Sequence, residues 1–92
     1  MVTAIVLINV SQGEVTNVAE TLVKLPGISE VYSVAGRYDL ATIIRVNKNE
    51  DLADLITSEM LAITGIENTE TLIAFRAYSH HDLEQMFEIG FD

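Results

Sequence analysis

Apolar and polar residues alternate along parts of the chain in a way that predicts four β-strands. Residues 2–10 (VTAIVLINV) are apolar on both alternating faces except at Thr3 and Asn9, which is typical of a strand covered on both sides. Residues 28–35 and 40–46 alternate as a second and a third strand, and residues 70–78 predict a fourth.

Two other segments repeat apolar residues at the three- and four-residue spacing of an amphipathic helix. Ser11 and Glu14 form a capping-box pattern that predicts the start of the first helix, which ends before Leu25-Pro26-Gly27. Asn49 is the predicted cap of the second helix, which stops at Gly65. The apolar stripes of the two helices are Val15, Val18, Ala19, Leu22 and Leu25, and then Leu52, Leu55, Ile56, Met60 and Ile63.

The predicted order, β-α-β-β-α-β, is the split pattern of the α+β ferredoxin-like fold, and a short C-terminal helix follows it. Right-handed crossovers place both helices on one face of a four-stranded antiparallel sheet. The other face is bare, yet the first and last strands carry apolar residues on both faces. We therefore expect a second copy of the chain to cover it, in a dimeric α/β sandwich, because the tail of about a dozen residues is too short to do so.

Composition narrows the class of protein. The 92 residues suit one domain with one core, and the absence of cysteine excludes disulfides, thiolate metal sites and cysteine nucleophiles. The formal charge of −9, with only five scattered basic residues, argues against direct binding to nucleic acid or to anionic membranes. No apolar run is long enough for a membrane span and no signal-peptide pattern is present, so a soluble, cytoplasmic protein is expected.

Two motifs stand out against this background. The stretch VAGRYDLA (34–41) joins the second and third strands, and GIENTET (65–71) leads into the last one. Together with LPGI (25–28), they resemble the effector-binding domain of the Lrp/AsnC family of regulators, also called the RAM domain. The resemblance covers about residues 2–79, and the Gly-x-Tyr-Asp loop and the Gly-Ile-x-x-Thr-x-Thr segment are its most specific parts.

The resemblance implies a domain division and a function. Residues 1–79 are expected to form the ligand-binding domain and residues 80–92 a C-terminal extension. Family regulators also carry an N-terminal helix-turn-helix domain, whereas this sequence begins at the first strand, so a stand-alone form is expected. Such a protein is a non-enzymatic sensor that modulates the transcription of amino acid metabolism, with full-length family regulators as candidate partners in mixed assemblies.

In the family, two sheets pack face to face, dimers associate into rings, and small effectors, commonly amino acids, bind between dimers. Carried onto this sequence, the motifs implicate Gly36, Tyr38 and Asp39 in the loop and Thr69 and Thr71 near the last strand, and Arg37 is an additional candidate for the effector carboxylate.

The chemistry of these residues suits a zwitterion. The Asp39 carboxylate can accept hydrogen bonds from an ammonium group, and the N–H groups of a glycine loop can donate to a carboxylate. Thr69 and Thr71 are two residues apart on a strand, so their hydroxyls share one face. Simpler roles stand beside these: Gly36 as a hairpin glycine with positive φ, Asp39 as a turn cap, and Tyr38 as a packing aromatic.

Two other functions share the strand order. Small cofactor-independent oxygenases and isomerases form similar dimers, but they need an acid or base between sheet and helices, where the predicted interior positions hold neither histidine nor carboxylate. An allosteric module of the ACT type is the other alternative. His80 and His81 invite a metal site, but adjacent helical residues diverge by about 100° and no third ligand is evident, so neither metal nor cofactor is expected.

Overall fold

The molecule is built on one antiparallel sheet. In the computed structural model, which describes residues 1–78 and residue 80, the strands lie in the order β2-β3-β1-β4, and every neighbouring pair is antiparallel. The strands are β1 (Val2–Val10), β2 (Ile28–Ser33), β3 (Leu40–Val46) and β4 (Ile66–Ile73). The helices are α1 (Val15–Leu22) and α2 (Asn49–Asp54), and α2 continues as a π-helical segment, Leu55–Met60. The predicted ferredoxin-like fold is confirmed, and the predicted C-terminal helix lies outside the described residues.

The core lies between one face of the sheet and the helices. Ala4, Val6 and Ile8 alternate along β1 as fully buried residues, because every second side chain of a strand points to the same face. The predicted helical stripes supply the opposing side chains. The buried helical residues are Val18, Leu22, Leu52, Leu55 and Met60, and Val15, Ala19, Leu25, Ile56 and Ile63 pack around them half-buried.

Both helix starts differ from the prediction. Ser11 does not cap α1: its backbone N–H donates to the carbonyl of Gly65 at 2.8 Å, so it still belongs to the end of the sheet. The chain turns after it, and Glu14 occupies the N-cap position without a side-chain cap bond. Asn49 is likewise the first residue of α2 and not its cap, a position that Lys48 takes in an extended conformation.

The last strand begins and ends earlier than predicted, at Ile66–Ile73 in place of 70–78. Its extent follows from its partner, since Ile73 pairs with Ala4 and the N–H of Ala74 donates to Thr3 at 2.9 Å, near the beginning of β1. Only Val2 of β1 lies beyond that point. The chain therefore leaves the sheet, and the side chain of Phe75 is 100% exposed.

The side of the sheet opposite the helices, called here the open face, carries apolar side chains that have no covering layer among the described residues. Its central row runs across three strands, with Ile5 of β1 flanked in register by Ile43 and Leu72. Leu72 is 46% exposed and Tyr32, on β2, is 50% exposed. The open face comprises Thr3, Ile5, Leu7, Asn9, Glu30, Tyr32, Ala41, Ile43, Arg45, Asn68, Glu70 and Leu72.

Candidate functional site

The loop that carries the Gly-x-Tyr-Asp motif is fastened to the end of β1 by Asp39. The backbone N–H of Asp39 donates to the carbonyl of Ile8 at 2.9 Å, and its Oδ2 accepts from the N–H of Val10 at 2.9 Å. Its carbonyl accepts from the N–H of Val34 at 3.0 Å, which closes the loop. Asp39 is thus a cap for a strand that lies 29 residues away in the sequence, and not only for its own turn.

Gly36 has the positive φ that the sequence predicts, at +122°. A Cβ built on it would meet nothing within 4 Å, so the position needs glycine for its backbone conformation and not for space. The neighbouring Arg37 is exposed, and the loop therefore presents its backbone and a cationic side chain to solvent.

Tyr38 ties the same loop to the last strand. Its hydroxyl donates a 2.9 Å hydrogen bond to Oε1 of Glu70, on β4. This hydrogen bond holds the pKa of the Tyr38 phenol above its ordinary value of 10.0, partial burial and the charge of Glu70 act in the same direction, and Arg37 opposes them. At neutral pH the hydroxyl is therefore a donor fixed towards Glu70.

A second connection between loop and sheet runs through two asparagines that pair across β1 and β4. Nδ2 of Asn68 donates to Oδ1 of Asn9 at 2.7 Å, and Nδ2 of Asn9 donates to the carbonyl of Arg37 at 2.8 Å. Both asparagines belong to the open face, since Asn9 alternates with buried Ile8 and Val10. The loop is thus held from the open face as well as from the end of β1.

The two threonines of the second motif lie on the other side of the sheet. Thr69 pairs with Ile8 and Thr71 with Val6, and both partners face the helices. Thr71 lines a groove of about 440 Å³ between β4 and α2, together with Leu52, Ala53, Ile56, Thr57, Asn49 and Ile73. The structure brings Gly36, Arg37, Tyr38 and Asp39 to one rim with Glu70, and it places Thr69 and Thr71 on the helix side. A role of these six residues in effector binding stays a prediction.

The sequence motifs point to Tyr38 and Asp39 but not to their partners on the strands, Asn9, Asn68 and Glu70. Asn9 is one of only two polar residues in β1, with Thr3, and that is a signal the sequence offers. Asn68 and Glu70 fall within the quoted motif 65–71, but only the register of β1 against β4 puts them beside the loop. Together they make the rim rich in hydrogen-bond acceptors and amides, which suits recognition of a small polar ligand better than acid-base chemistry.

Three other features, a metal site, a membrane span and an enclosed catalytic base, have no support among the described residues. No group of three histidine, aspartate or glutamate side chains in residues 1–78 and 80 is placed to hold a metal ion. None of the helices found there is long and apolar enough to cross a membrane. His80 is exposed, which is unlike a catalytic base enclosed between sheet and helices, and His81 lies outside the described residues.

The sequence matches the family model of the Lrp/AsnC ligand binding domain over residues 3–83. The chain belongs to this family. The match begins at β1 and reaches into the segment 80–92. Among curated Lrp/AsnC relatives, the HTH-type transcriptional regulator FL11 of Pyrococcus furiosus is 38% identical over 76 residues, which are 82% of this chain and 49% of the regulator. The chain therefore spans about half the length of the curated relatives it matches.

Solved structures share the architecture of this Lrp/AsnC domain. The protein TTHA0845 from Thermus thermophilus is 45% identical, with a TM-score of 0.81 over 87% of this chain and 100% of that one. The feast or famine regulatory protein Rv3291c from M. tuberculosis, solved in complex with L-methionine, is 24% identical, with a TM-score of 0.72 over 87% of this chain and 54% of that one. At that identity the second likeness speaks for the fold alone.

Proposed function

We propose that this Lrp/AsnC domain is a non-enzymatic sensor that binds a small amino acid and thereby modulates transcriptional regulation of amino acid metabolism. The observation that carries the proposal is the tethering of the Gly-x-Tyr-Asp loop at the rim of the open face by Asp39 and Tyr38. A loop fixed to two different strands by neighbouring residues offers a ligand a preformed surface, which lowers the entropic cost of binding.

The chemistry at the rim favours a zwitterion. Asp39 and Glu70 are carboxylates close to one loop, and either can accept from an ammonium group. The effector carboxylate needs donors, which Arg37 and the backbone N–H groups around Gly36 supply. The match to the Lrp/AsnC ligand binding domain supports a small-molecule effector, and an amino acid is the class that the resemblance to the family implies. Thr69 and Thr71 lie on the helix side of β4, beside the groove next to α2. There the side chain of the effector or of a neighbouring subunit would contact them.

The domain acts as a homodimer through its open face. The row of Ile43, Ile5 and Leu72 is apolar and lies between polar groups at both ends of the sheet, a pattern of apolar centre and polar rim that is common in stable interfaces. A surface of this kind is unusual on a monomer, and a twofold axis through it would pair each central row with its copy. Tyr32, which donates a hydrogen bond to Glu30, adds an aromatic side chain to the same surface.

Dimers associate further into rings, with the effector bound where the loops of neighbouring dimers meet. Full-length Lrp/AsnC regulators are the proposed partners in mixed assemblies in the cytoplasm, which would connect this domain to DNA without nucleic-acid contacts of its own. An effector can shift such assemblies only if it binds one of them more tightly than another. In this proposal residues 1–79 form the sensing domain and residues 80–92 an extension to it.

Calorimetry against a panel of amino acids tests the proposal. The expected result is saturable binding of one or a few L-amino acids, together with a change in the sedimentation profile of the protein when the ligand is present. A panel that includes methionine and gives no heat of binding at millimolar ligand would refute the sensor function.

A further inference from the structure

The strongest unassigned feature is the chain of amide hydrogen bonds from Asn68 through Asn9 to the carbonyl of Arg37. Asn9 and Asn68 face each other directly in the register of β1 and β4, and the register shifts immediately afterwards, between Asn9 and Val10. Such irregularities often redirect a side chain near a functional site. Here the shift follows directly after Asn9, the residue whose side chain donates a hydrogen bond to the loop.

The direction of these two hydrogen bonds is fixed by chemistry. The carbonyl of Arg37 can only accept, so Asn9 must present Nδ2 to it, at 2.8 Å. Oδ1 of Asn9 is then turned towards β4 and accepts from Nδ2 of Asn68 at 2.7 Å. The orientation of one amide therefore depends on the other, and the loop contact depends on a residue that does not touch the loop.

The relay also lies on the surface that the proposed dimer would cover. Asn9 follows Leu7 along β1, its partner Asn68 lies next to Glu70 on β4, and Asn68 is exposed. Water competes with exposed amide hydrogen bonds, and its removal strengthens them. Covering the open face would therefore hold Arg37 and Tyr38 more firmly, whereas Asp39 is held by its own bonds to Ile8 and Val10.

From this geometry we propose that the Asn9–Asn68 amide pair is a positioning element that couples the open face to the Gly-x-Tyr-Asp loop. Dimerisation at the open face fixes the loop in the conformation that binds the effector. By linkage, effector binding favours the dimer by the same factor. The coupling rests on the proposed sensor function, but the positioning of the loop by Asn68 does not.

The decisive variant is Asn68→Asp, which keeps the side-chain shape and replaces the donor amide by a second acceptor. Asn9 must then rotate to offer Nδ2 to the new carboxylate, and its Oδ1 faces the carbonyl of Arg37, which repels it. Backbone amide resonances of residues 36–39 should shift, and the affinity for the effector, measured on dimeric protein, should fall about tenfold. Asn17→Asp is the matched control, since Asn17 lies on α1, bonded to Glu14, and undergoes the same chemical change.

A second arm separates a relay from a general loss of structure. In an Asn9→Ala background the link to the loop is already cut, so adding Asn68→Asp should leave the resonances of residues 36–39 where Asn9→Ala put them. Equal shifts of these resonances with and without Asn9 would overturn the relay, as would an Asn68→Asp spectrum that matches the Asn17→Asp control around the loop. If the wild-type protein binds no amino acid, the sensor function fails, and the resonances still decide whether Asn68 positions the loop.

Discussion

The phenolic oxygen of Tyr38 lies 2.9 Å from Oε1 of Glu70, a residue 32 positions later in the chain. This hydrogen bond joins the loop between β2 and β3 to the edge strand β4, across the end of β1. Together with the bond between Asp39 and Val10, it fixes the loop to two strands at once. The candidate site is therefore a product of the sheet order β2-β3-β1-β4 and not of the loop sequence alone.

The Glu70→Ala variant should lower the pKa of Tyr38 towards 10.0, because the hydrogen bond to Glu70 is the main cause of its elevation. A phenol whose pKa is raised by folding stabilises the folded state below pH 10, and that contribution is lost as the pH rises through the elevated value. Titration of the assigned Tyr38 ring resonances by NMR measures the shift. Glu67→Ala, at an exposed position on the same strand, is the control. A pKa of Tyr38 that is the same in Glu70→Ala as in the wild type would disprove the hydrogen bond to Glu70 as the cause.

Asp39→Ala should reduce the free energy of unfolding by about 1–2 kcal/mol, because it leaves the N–H of Val10 without its acceptor. Asp39→Asn keeps an acceptor oxygen at the same place and should lose less. Urea denaturation measures both, with Asp54→Ala at an exposed position of α2 as the reference substitution. The strand-capping role is wrong if Asp39→Ala and Asp54→Ala have the same effect.

Thr42→Val should raise the free energy of unfolding by about 1 kcal/mol. The side chain of Thr42 is fully buried on the core side of β3, and its hydroxyl finds no hydrogen-bond partner among the described residues. Valine has nearly the same shape without the unpaired polar atom. Thr42→Ser keeps the hydroxyl and removes a methyl group, so it should destabilise the protein in the same thermal or urea assay. A valine variant less stable than the wild type would mean that the hydroxyl is satisfied in solution.

Ile5→Glu should convert the protein to a folded monomer, because a carboxylate at the centre of the open face cannot be buried against its own copy without a large desolvation cost. Analytical ultracentrifugation measures the association state, and circular dichroism checks that the fold survives. Val23→Glu is the control. Val23 is the residue after α1, its side chain is 54% exposed, and it does not belong to the open face, so this variant should stay dimeric. An Ile5→Glu variant that associates like the wild type would rule out the open face as the interface.

The fold was predictable because its signals are local and repeated. β1 alternates half-buried and buried residues from Thr3 to Val10, and the two-residue period of a strand brings Ala4, Val6 and Ile8 to one face. The helical stripes are equally direct, and Leu55 and Met60 remain buried although the helix widens into a π-helical segment between them.

The ends of the strands and helices and the composition of the site were harder to predict, because they depend on residues far away in the chain. The segment from Leu72 to Tyr78 is apolar except for Arg76 and predicts a strand, but it extends past the residues of β1 that could pair with it. Serine often caps helices, but the backbone N–H of Ser11 donates to the carbonyl of Gly65, which keeps this residue at the end of the sheet. Asn9, Asn68 and Glu70 come to the loop only through the register of two strands, and nothing in their local sequence specifies that register.

The most direct test of the central claim is a crystal structure of the protein soaked with an amino-acid mixture. We expect density for an amino acid at the loop of residues 36–39, with its ammonium group within hydrogen-bonding distance of Asp39 or Glu70 and a neighbouring subunit closing the site. Density confined to the groove beside α2, or an empty loop in crystals that have taken up amino acid elsewhere, would contradict it.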